Sequence, residues 1–247
     1  MAQALGRVLI IAGSDSGGGA GIQADLKAVT ALGGFAATAI TAITAQNTLG
    51  VHGVWPLPLE AIEAQARAVL DDIGADAIKT GMLGDAATVR LVARLLDDAA
   101  GVPAVIDPVM VAKGGASLLA AEAVAALAEE LVPRAALLTP NAPEAEALTG
   151  LAVQTTDDLR RAGERLLTRG ARAVLMKGGH VAGESVIDVL MTPAGETTFE
   201  GPRLDTRHTH GTGCTLASAC AAGLAQGLTL ERAVARAWGY VAEAIRR

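Results

Sequence analysis

The segment Gly211-Thr212-Gly213-Cys214-Thr215 precedes Leu216–Leu224, an apolar run with helical spacing. Small residues at a helix start expose backbone N–H groups that lack intrahelical partners and add the positive end of the helix dipole. Such a turn can cradle a transferring phosphoryl group. A plain glycine-rich helix start has the same local sequence, so the turn alone does not decide. Cys214 falls in the first helical turn, where the dipole lowers a thiol's pKa and favours the thiolate, which suits a base or a polar positioning group. The bland reading is a small buried hydrophobe, and Cys220, deeper in the same helix, is read that way.

Carboxylates for Mg²⁺ are available at Asp107, directly after an apolar run, and at Glu144, three residues after Asn141. Phosphoryl transfer uses Mg²⁺ held by one or two carboxylates together with substrate phosphates. Lys177, also at the end of an apolar run, is placed to neutralise phosphate charge, or else is simply solvated. The loop Gly13–Gly21 looks like a phosphate loop but lacks the Lys-Ser/Thr of a P-loop and the third glycine of GxGxxG. Asp15 would repel a pyrophosphate, which leaves a tight mobile turn or a substrate lid.

These residues need elements to hold them. Leu5–Gly13, Phe35–Ala45, Ala75–Thr80, Val102–Asp107, Ala135–Thr139 and Ala171–Lys177 read as strands. Between them Ala20–Leu32, Leu59–Ile73, Ala86–Asp98, Leu118–Leu131 and Thr156–Arg169 read as helices, the last with capping oxygens at Thr155, Thr156 and Asp157. Short apolar strands alternating with helices predict an α/β fold with a mainly parallel, doubly wound sheet covered on both faces. Ser185–Met191 and Thr197–Gly201 read as an antiparallel edge hairpin, and helices Gly213–Gln226 and Leu230–Ile245 finish the chain. No linker or repeat interrupts the pattern, so residues 1–247 are expected to form a single domain. In open α/β sheets ligands bind beyond the carboxyl ends of the strands, where Gly13, Gln46, Met82, Asp107, Asn141 and Lys177 would gather.

Composition narrows the partners. The 247 residues are 51% hydrophobic but 2% aromatic, which argues against stacking on single-stranded nucleic acid. A net charge of −6 offers no footprint for phosphate backbones or anionic membranes. Small-molecule substrates are expected, with no nucleic acid and no membrane partner. Without a leader pattern or a run of about 20 apolar residues, a soluble cytoplasmic protein is the expectation. Cys214 and Cys220 would sit about 9 Å apart along a helix, too far for a disulfide. Four histidines without CxxC or HExxH spacing give no zinc site.

Several strings together resemble the hydroxymethylpyrimidine/phosphomethylpyrimidine kinase family of the ribokinase-like superfamily. They are AGSD at Ala12–Asp15, GGAGIQADL at Gly18–Leu26, TAQNT at Thr44–Thr48, KTGML at Lys79–Leu83, DPVM at Asp107–Met110, TPNxxE from Thr139 to Glu144, MKGGH at Met176–His180 and THGTGCT at Thr209–Thr215. The resemblance implies a three-layer α/β/α ribokinase-like fold, a homodimer, and two ATP-dependent phosphorylations of 4-amino-5-hydroxymethyl-2-methylpyrimidine in thiamine biosynthesis. By the same resemblance Gln46 reads the pyrimidine through its amide, with Gly13, Asp25, Met82 and Val109 lining or closing that pocket. Asn141, Glu144, Lys177 and Thr212 would serve ATP, with Asp107 and Glu144 at Mg²⁺. The Gly211, Thr212 and Gly213 amides would hold the transferred phosphoryl, and Cys214 stands where many sugar and pyridoxal kinases of the superfamily place a catalytic Asp.

Two departures stand out. His208 takes the place of a common Asn, and the family pattern runs on past the position of Arg247 into a Gly/His-rich tail, so the nucleotide-side edge is expected to differ. The competing readings are a pyridoxine or pyridoxal kinase, a non-catalytic pyrimidine-phosphate-binding protein and, weakest for want of GxGxxG, a dinucleotide-dependent oxidoreductase.

Overall fold

A computed structural model describes residues 5–110, 121–206 and 209–246. In chain order the elements are β1 (Arg7–Asp15), α1 (Gly21–Ala31), β2 (Phe35–Asn47), β3 (Gly50–Pro56), α2 (Leu59–Ala68), β4 (Ala77–Thr80), α3 (Ala86–Asp98), β5 (Ala104–Ile106) and α4 (Ala121–Ala126). They continue with β6 (Leu137–Leu138), α5 (Ala142–Thr149), α6 (Thr156–Thr168), β7 (Val174–Met176), β8 (Ser185–Thr192), β9 (Gly195–Pro202), α7 (Thr212–Ala225) and α8 (Leu230–Arg246). The helices α2 and α4 each widen into a π turn, at Val69–Ile73 and Leu127–Leu131.

One nine-stranded sheet runs in the order β3-β2-β1-β4-β5-β6-β7-β8-β9. The strands from β2 to β7 pair in parallel, while β3 and the β8–β9 hairpin are antiparallel. Alternate strand residues serve two cores. Leu9, Ile11, Ile78, Ile106 and Val174 pack on one face with Val92 of α3 and Leu159 of α6. Val8, Ile10, Val105, Leu137 and Leu175 pack on the other with Val29 of α1, Ala221 of α7 and Val234 of α8. A strand buried on both faces has no polar side, which is why β4, β5 and β6 are continuous apolar or buried runs.

The mainly parallel sheet, its double covering and the edge hairpin agree with the pattern read from sequence. Two elements escaped it. The edge strand β3 is exposed at most of its residues, so no burial alternation marks it. The helix α5 is only eight residues long and carries Pro143 in its first turn, where a proline costs nothing because that N–H has no intrahelical partner. The expected helix from Leu118 is observed from Ala121, its first three residues lying outside the described ones.

Because β1 lies between β2 and β4, chain connections leave it in opposite directions, and a crevice opens at its carboxyl end. The ladder is irregular at that point. The β1–β2 register shifts between Ala12 and Ser14, and the β2–β3 register shifts between Ala45 and Gln46. Such irregularities re-aim side chains, here around Gly13 and at Gln46.

Candidate active site

The N-terminus of α7 is built for close approach. Its N-cap Gly211 sits in the left-handed region at φ 76°, and no side chain caps the helix. A Cβ at Gly211 would lie 1.7 Å from the carbonyl oxygen of Gly19, so the turn and the glycine-rich first loop interlock through bare backbone. A Cβ at Gly213 would stand 3.2 Å from the Lys177 Nζ, which places that ammonium beside the helix start. Backbone amides, dipole and ammonium together are an arrangement that can receive an anion.

Lys177 stands 3.0 Å from Asp107 Oδ1 and 3.8 Å from Glu144 Oε2. Burial would lower the Lys177 pKa, but Asp107 and Glu144 outweigh it and hold the ammonium above its ordinary value. For Asp107, burial pulls upward, yet Lys177 and then Lys79 keep the carboxyl below the usual carboxylate range, and Thr139 Oγ1 donates to it at 3.0 Å. Glu144 is different: burial pushes its carboxyl up to about 7 against the pull of Lys177. Its other partners are backbone N–H groups, of Met110 and of Asn141. Asn141 N–H donates to Glu144 Oε2 at 2.8 Å and Glu144 N–H to Asn141 Oδ1 at 2.9 Å, the capping box that starts α5. The TPNxxE string is therefore a helix signal as well as a site signal.

Asp25 departs from the expectation that it lines the pocket. Its carboxylate is fully buried beneath the cavity, accepting from both Lys79 and Ser218, so α1, β4 and α7 are tied by one polar knot. At Cys214 desolvation works against the thiolate that the helix dipole favours. Burial raises that thiol to about 11, with Asp25 and Asp107 adding to the effect of burial and Lys79 opposing it. The helix dipole is a surface-scale effect of about 1 kcal/mol, too small to offset desolvation of a thiolate. Cys220 is buried as read, and its thiol is pushed up to about 12 for the same reason.

At the crevice beside β1, Gly13 faces Met82 so closely that a Cβ would meet the Met82 methyl at 2.4 Å. Thr41 Oγ1 donates to the Met82 carbonyl at 2.7 Å and holds that segment. Asp15, read as a repulsive group, turns inward instead. Its carboxylate accepts from the N–H groups of Gly17, Gly19 and Ala20 at 2.8, 3.1 and 2.8 Å and lies 3.0 Å from His210 Nε2. Burial would raise it, but His210 and the loop amides hold it below its usual value.

The α7 turn, the Lys177 cluster and the crevice beside β1 share one cavity of about 800 Å³. Gly13, Gln46, Met82 and Val109 line it near the crevice; Asp107, Asn141, Glu144, Lys177 and the Gly211, Thr212, Gly213 and Cys214 turn line its middle. Beyond them lie Val186, Leu204, Trp238, Val241 and Ile245, an apolar end between the hairpin and α8. Five strand spacings of about 4.8 Å separate β1 from β8, roughly 24 Å, room for a small ring and an extended nucleotide end to end. Among the expected site residues Asp25 alone is absent from the wall. Lys79, His210 and Trp238 were not among the site residues expected from sequence, and Asp15 was expected only to repel. Lys79 had a signal, a lysine in a short buried strand, and His210 lies in the THGTGCT string, but nothing local points to its partner 195 residues away. His208 lies outside the described residues. Among the described residues no group of three or more His, Cys, Asp or Glu is placed to hold a metal, and no helix is long and apolar enough to cross a membrane.

The family profile described as phosphomethylpyrimidine kinase matches residues 15–247. The curated hydroxymethylpyrimidine/phosphomethylpyrimidine kinase of Streptomyces coelicolor is 53% identical over 238 residues, which is 96% of this chain and 88% of that protein. The crystal structure of phosphomethylpyrimidine kinase from Clostridium difficile 630 is 42% identical with a TM-score of 0.86, covering 97% of this chain and 99% of that one. An ADP complex of Bacillus subtilis pyridoxal kinase is 39% identical with a TM-score of 0.89, covering 96% and 90%.

Proposed function

The chain belongs to the phosphomethylpyrimidine kinase family, and we infer from that premise how its cavity works. Its activity is that of a hydroxymethylpyrimidine/phosphomethylpyrimidine kinase of thiamine biosynthesis: 4-amino-5-hydroxymethyl-2-methylpyrimidine becomes the monophosphate and then the diphosphate, with ATP as donor. The observation that carries the residue assignment is the uncapped start of α7 facing the Lys177 ammonium.

In this assignment the pyrimidine lies near Gly13, Gln46, Met82 and Val109, and the nucleotide reaches from Asn141, Glu144, Lys177 and Thr212 toward the apolar end at Trp238. The amides of Gly211, Thr212 and Gly213 and the Lys177 ammonium receive the transferring phosphoryl group. Its transition state is loose, so fixed positive charge and alignment matter more than a strong base. Cys214 then acts as a neutral thiol that positions the acceptor. Neutrality suits the second step, in which the acceptor is itself a phosphate monoester that a carboxylate would repel. Asp107 and Glu144 are hard, buried oxygen donors on the same wall as Lys177, a set that suits Mg²⁺ shared with nucleotide phosphates, and they would hold it. When bound, Mg²⁺ would supply further charge neutralisation there.

The assembly proposed is a homodimer of single-domain chains. The support is an unpaired edge: β3 and its surroundings expose Leu49, Trp55 and Val54, with Ile43 opposite Trp55. A cytoplasmic location is proposed because ATP and the pyrimidine are metabolites of that compartment. One mass-spectrometric assay with the hydroxymethylpyrimidine, ATP and Mg²⁺ tests the activity. Mono- and diphosphate are expected, and turnover of pyridoxine with none of the pyrimidine would overturn it.

A further inference from the structure

Gln46 reaches the cavity with a side-chain amide whose two ends differ only in N against O, and its neighbours decide which end is which. One end, the Oε1 position, lies 3.3 Å from Thr44 Oγ1; the other, the Nε2 position, lies 3.4 Å from His210 Nε2. Thr44 has a single hydroxyl proton, and it goes to the Ser14 carbonyl at 2.8 Å. Toward Gln46, Thr44 can therefore only accept.

His210 Nε2 has the opposite constraint. It stands 3.0 Å from Asp15 Oδ2, a carboxylate that already collects three loop N–H groups and is an acceptor only. A ring nitrogen against such an oxygen must carry a proton, whether the imidazole is neutral or charged. That single N–H points mainly at Asp15, so toward Gln46 at 3.4 Å it offers the weaker branch of a shared, three-centre bond and no lone pair: it can meet an oxygen there but not an amide N–H. Both neighbours call for the same exchange: the amide nitrogen belongs beside Thr44 and the amide oxygen beside His210.

We infer that His210 and Thr44 are specificity-determining residues that lock the Gln46 amide in this orientation, through the chain Asp15 carboxylate, His210 N–H, Gln46 oxygen, Gln46 N–H and Thr44 hydroxyl. Locked so, the amide keeps one N–H and one oxygen lone pair for the ligand, in a fixed order across the cavity. That pair recognises a ring edge carrying a nitrogen acceptor next to an exocyclic amine, the edge of a 4-aminopyrimidine, in one register. A freely rotating amide would accept the reverse. The lock also joins two parts of the site, since a Cβ on Gly19 would meet the His210 ring at 2.5 Å and Gly211 follows directly in sequence. Ordering of the first loop and polarity of Gln46 thus depend on one imidazole.

The inference rests on the reading of Gln46 as the group that contacts the pyrimidine, and the test separates the two. Nitrogen-15 NMR of the histidine rings in the unmodified protein should show a proton on Nε2 of His210. A bare Nε2 overturns the lock whatever the substrate. In kinetics, His210→Ala and Thr44→Val should each raise KM for the hydroxymethylpyrimidine about tenfold, the loss of one hydrogen bond near charge, with KM for ATP within about twofold. His210→Gln, which can offer an N–H near the Nε2 position, should recover most of the loss. Equal rises in both KM values, or no rescue by Gln, would overturn the inference. If the unmodified protein fails to turn over the pyrimidine, the kinase reading falls, and the Nε2 proton alone decides the lock.

Discussion

Lys79 donates to both carboxylate oxygens of Asp25, at 2.9 and 2.8 Å, and neither side chain touches solvent. The pair joins β4 to α1, with Ser218 of α7 bonded to the same carboxylate at 2.7 Å. Removing one partner leaves the other charge buried and unpaired, which costs about 3–5 kcal/mol, whereas removing both costs far less. Lys79→Met and Asp25→Asn should each lower unfolding free energy in urea by about that amount, and Lys79→Met with Asp25→Leu by clearly less than the sum. Single variants within about 1 kcal/mol of the parent would refute the structural role.

A thiol raised to about 11 is protonated at neutral pH, with a thiolate fraction on the order of one in ten thousand. Thiolate absorbance at 240 nm should stay absent below about pH 9, and Cys214→Ser should keep kcat within about tenfold because a small neutral polar group is retained. Cys214→Asp should lose the second phosphorylation more than the first. If the aspartate variant phosphorylates the monophosphate as well as the parent does, the argument from charge repulsion is wrong.

The two glycines of the turn differ in what a side chain would strike. At Gly211 the obstacle is backbone, the Gly19 carbonyl, and the residue is left-handed. At Gly213 it is the end of the Lys177 side chain, 3.2 Å away. Gly211→Ala should therefore cost at least about 2 kcal/mol of stability together with most of kcat. Gly213→Ala should leave the melting temperature near that of the parent and lower kcat about tenfold by displacing the ammonium. Calorimetry with steady-state kinetics separates the two patterns, and equal losses of stability would contradict the geometry.

Acid sensitivity has a source away from the site. The Arg7 guanidinium donates to Asp76 at 2.9 and 2.7 Å and its backbone N–H donates at 2.8 Å, linking the starts of β1 and β4. Chiefly through the Arg7 side chain, the Asp76 carboxyl is held down at about 2 from 3.8. Its folded pKa is depressed, so its contribution is present above about pH 4 and is lost as pH falls toward 2. Asp76→Asn should flatten the fall in melting temperature between those values. An unchanged slope would show that other carboxylates carry the effect.

Much of this molecule is written locally. The apolar runs of β1 and β4, the Thr155 capping box of α6 and the small-residue start of α7 were legible because strand burial, caps and helix starts depend on near neighbours. The edge strand β3 and the short helix α5 were not, since an exposed strand has no buried alternation and eight residues carry little periodicity. The residues of the anion site and of the pyrimidine end were recognisable by type and by the strings that contain them.

What each of those residues does was decided by partners remote in sequence. Asp25 meets Lys79 across 54 positions and leaves the cavity wall; Asp15 meets His210 across 195 and becomes the organiser of its loop. Cys214 stands where a helix dipole favours a thiolate, yet desolvation among the side chains packed around the cavity wall pushes its thiol up to about 11. The sequence by itself determined most of the elements and the identity of most groups at the site. Charge state and hydrogen-bond polarity belong to the tertiary structure, because desolvation and pairing depend on which distant side chains packing brings within about 3–4 Å.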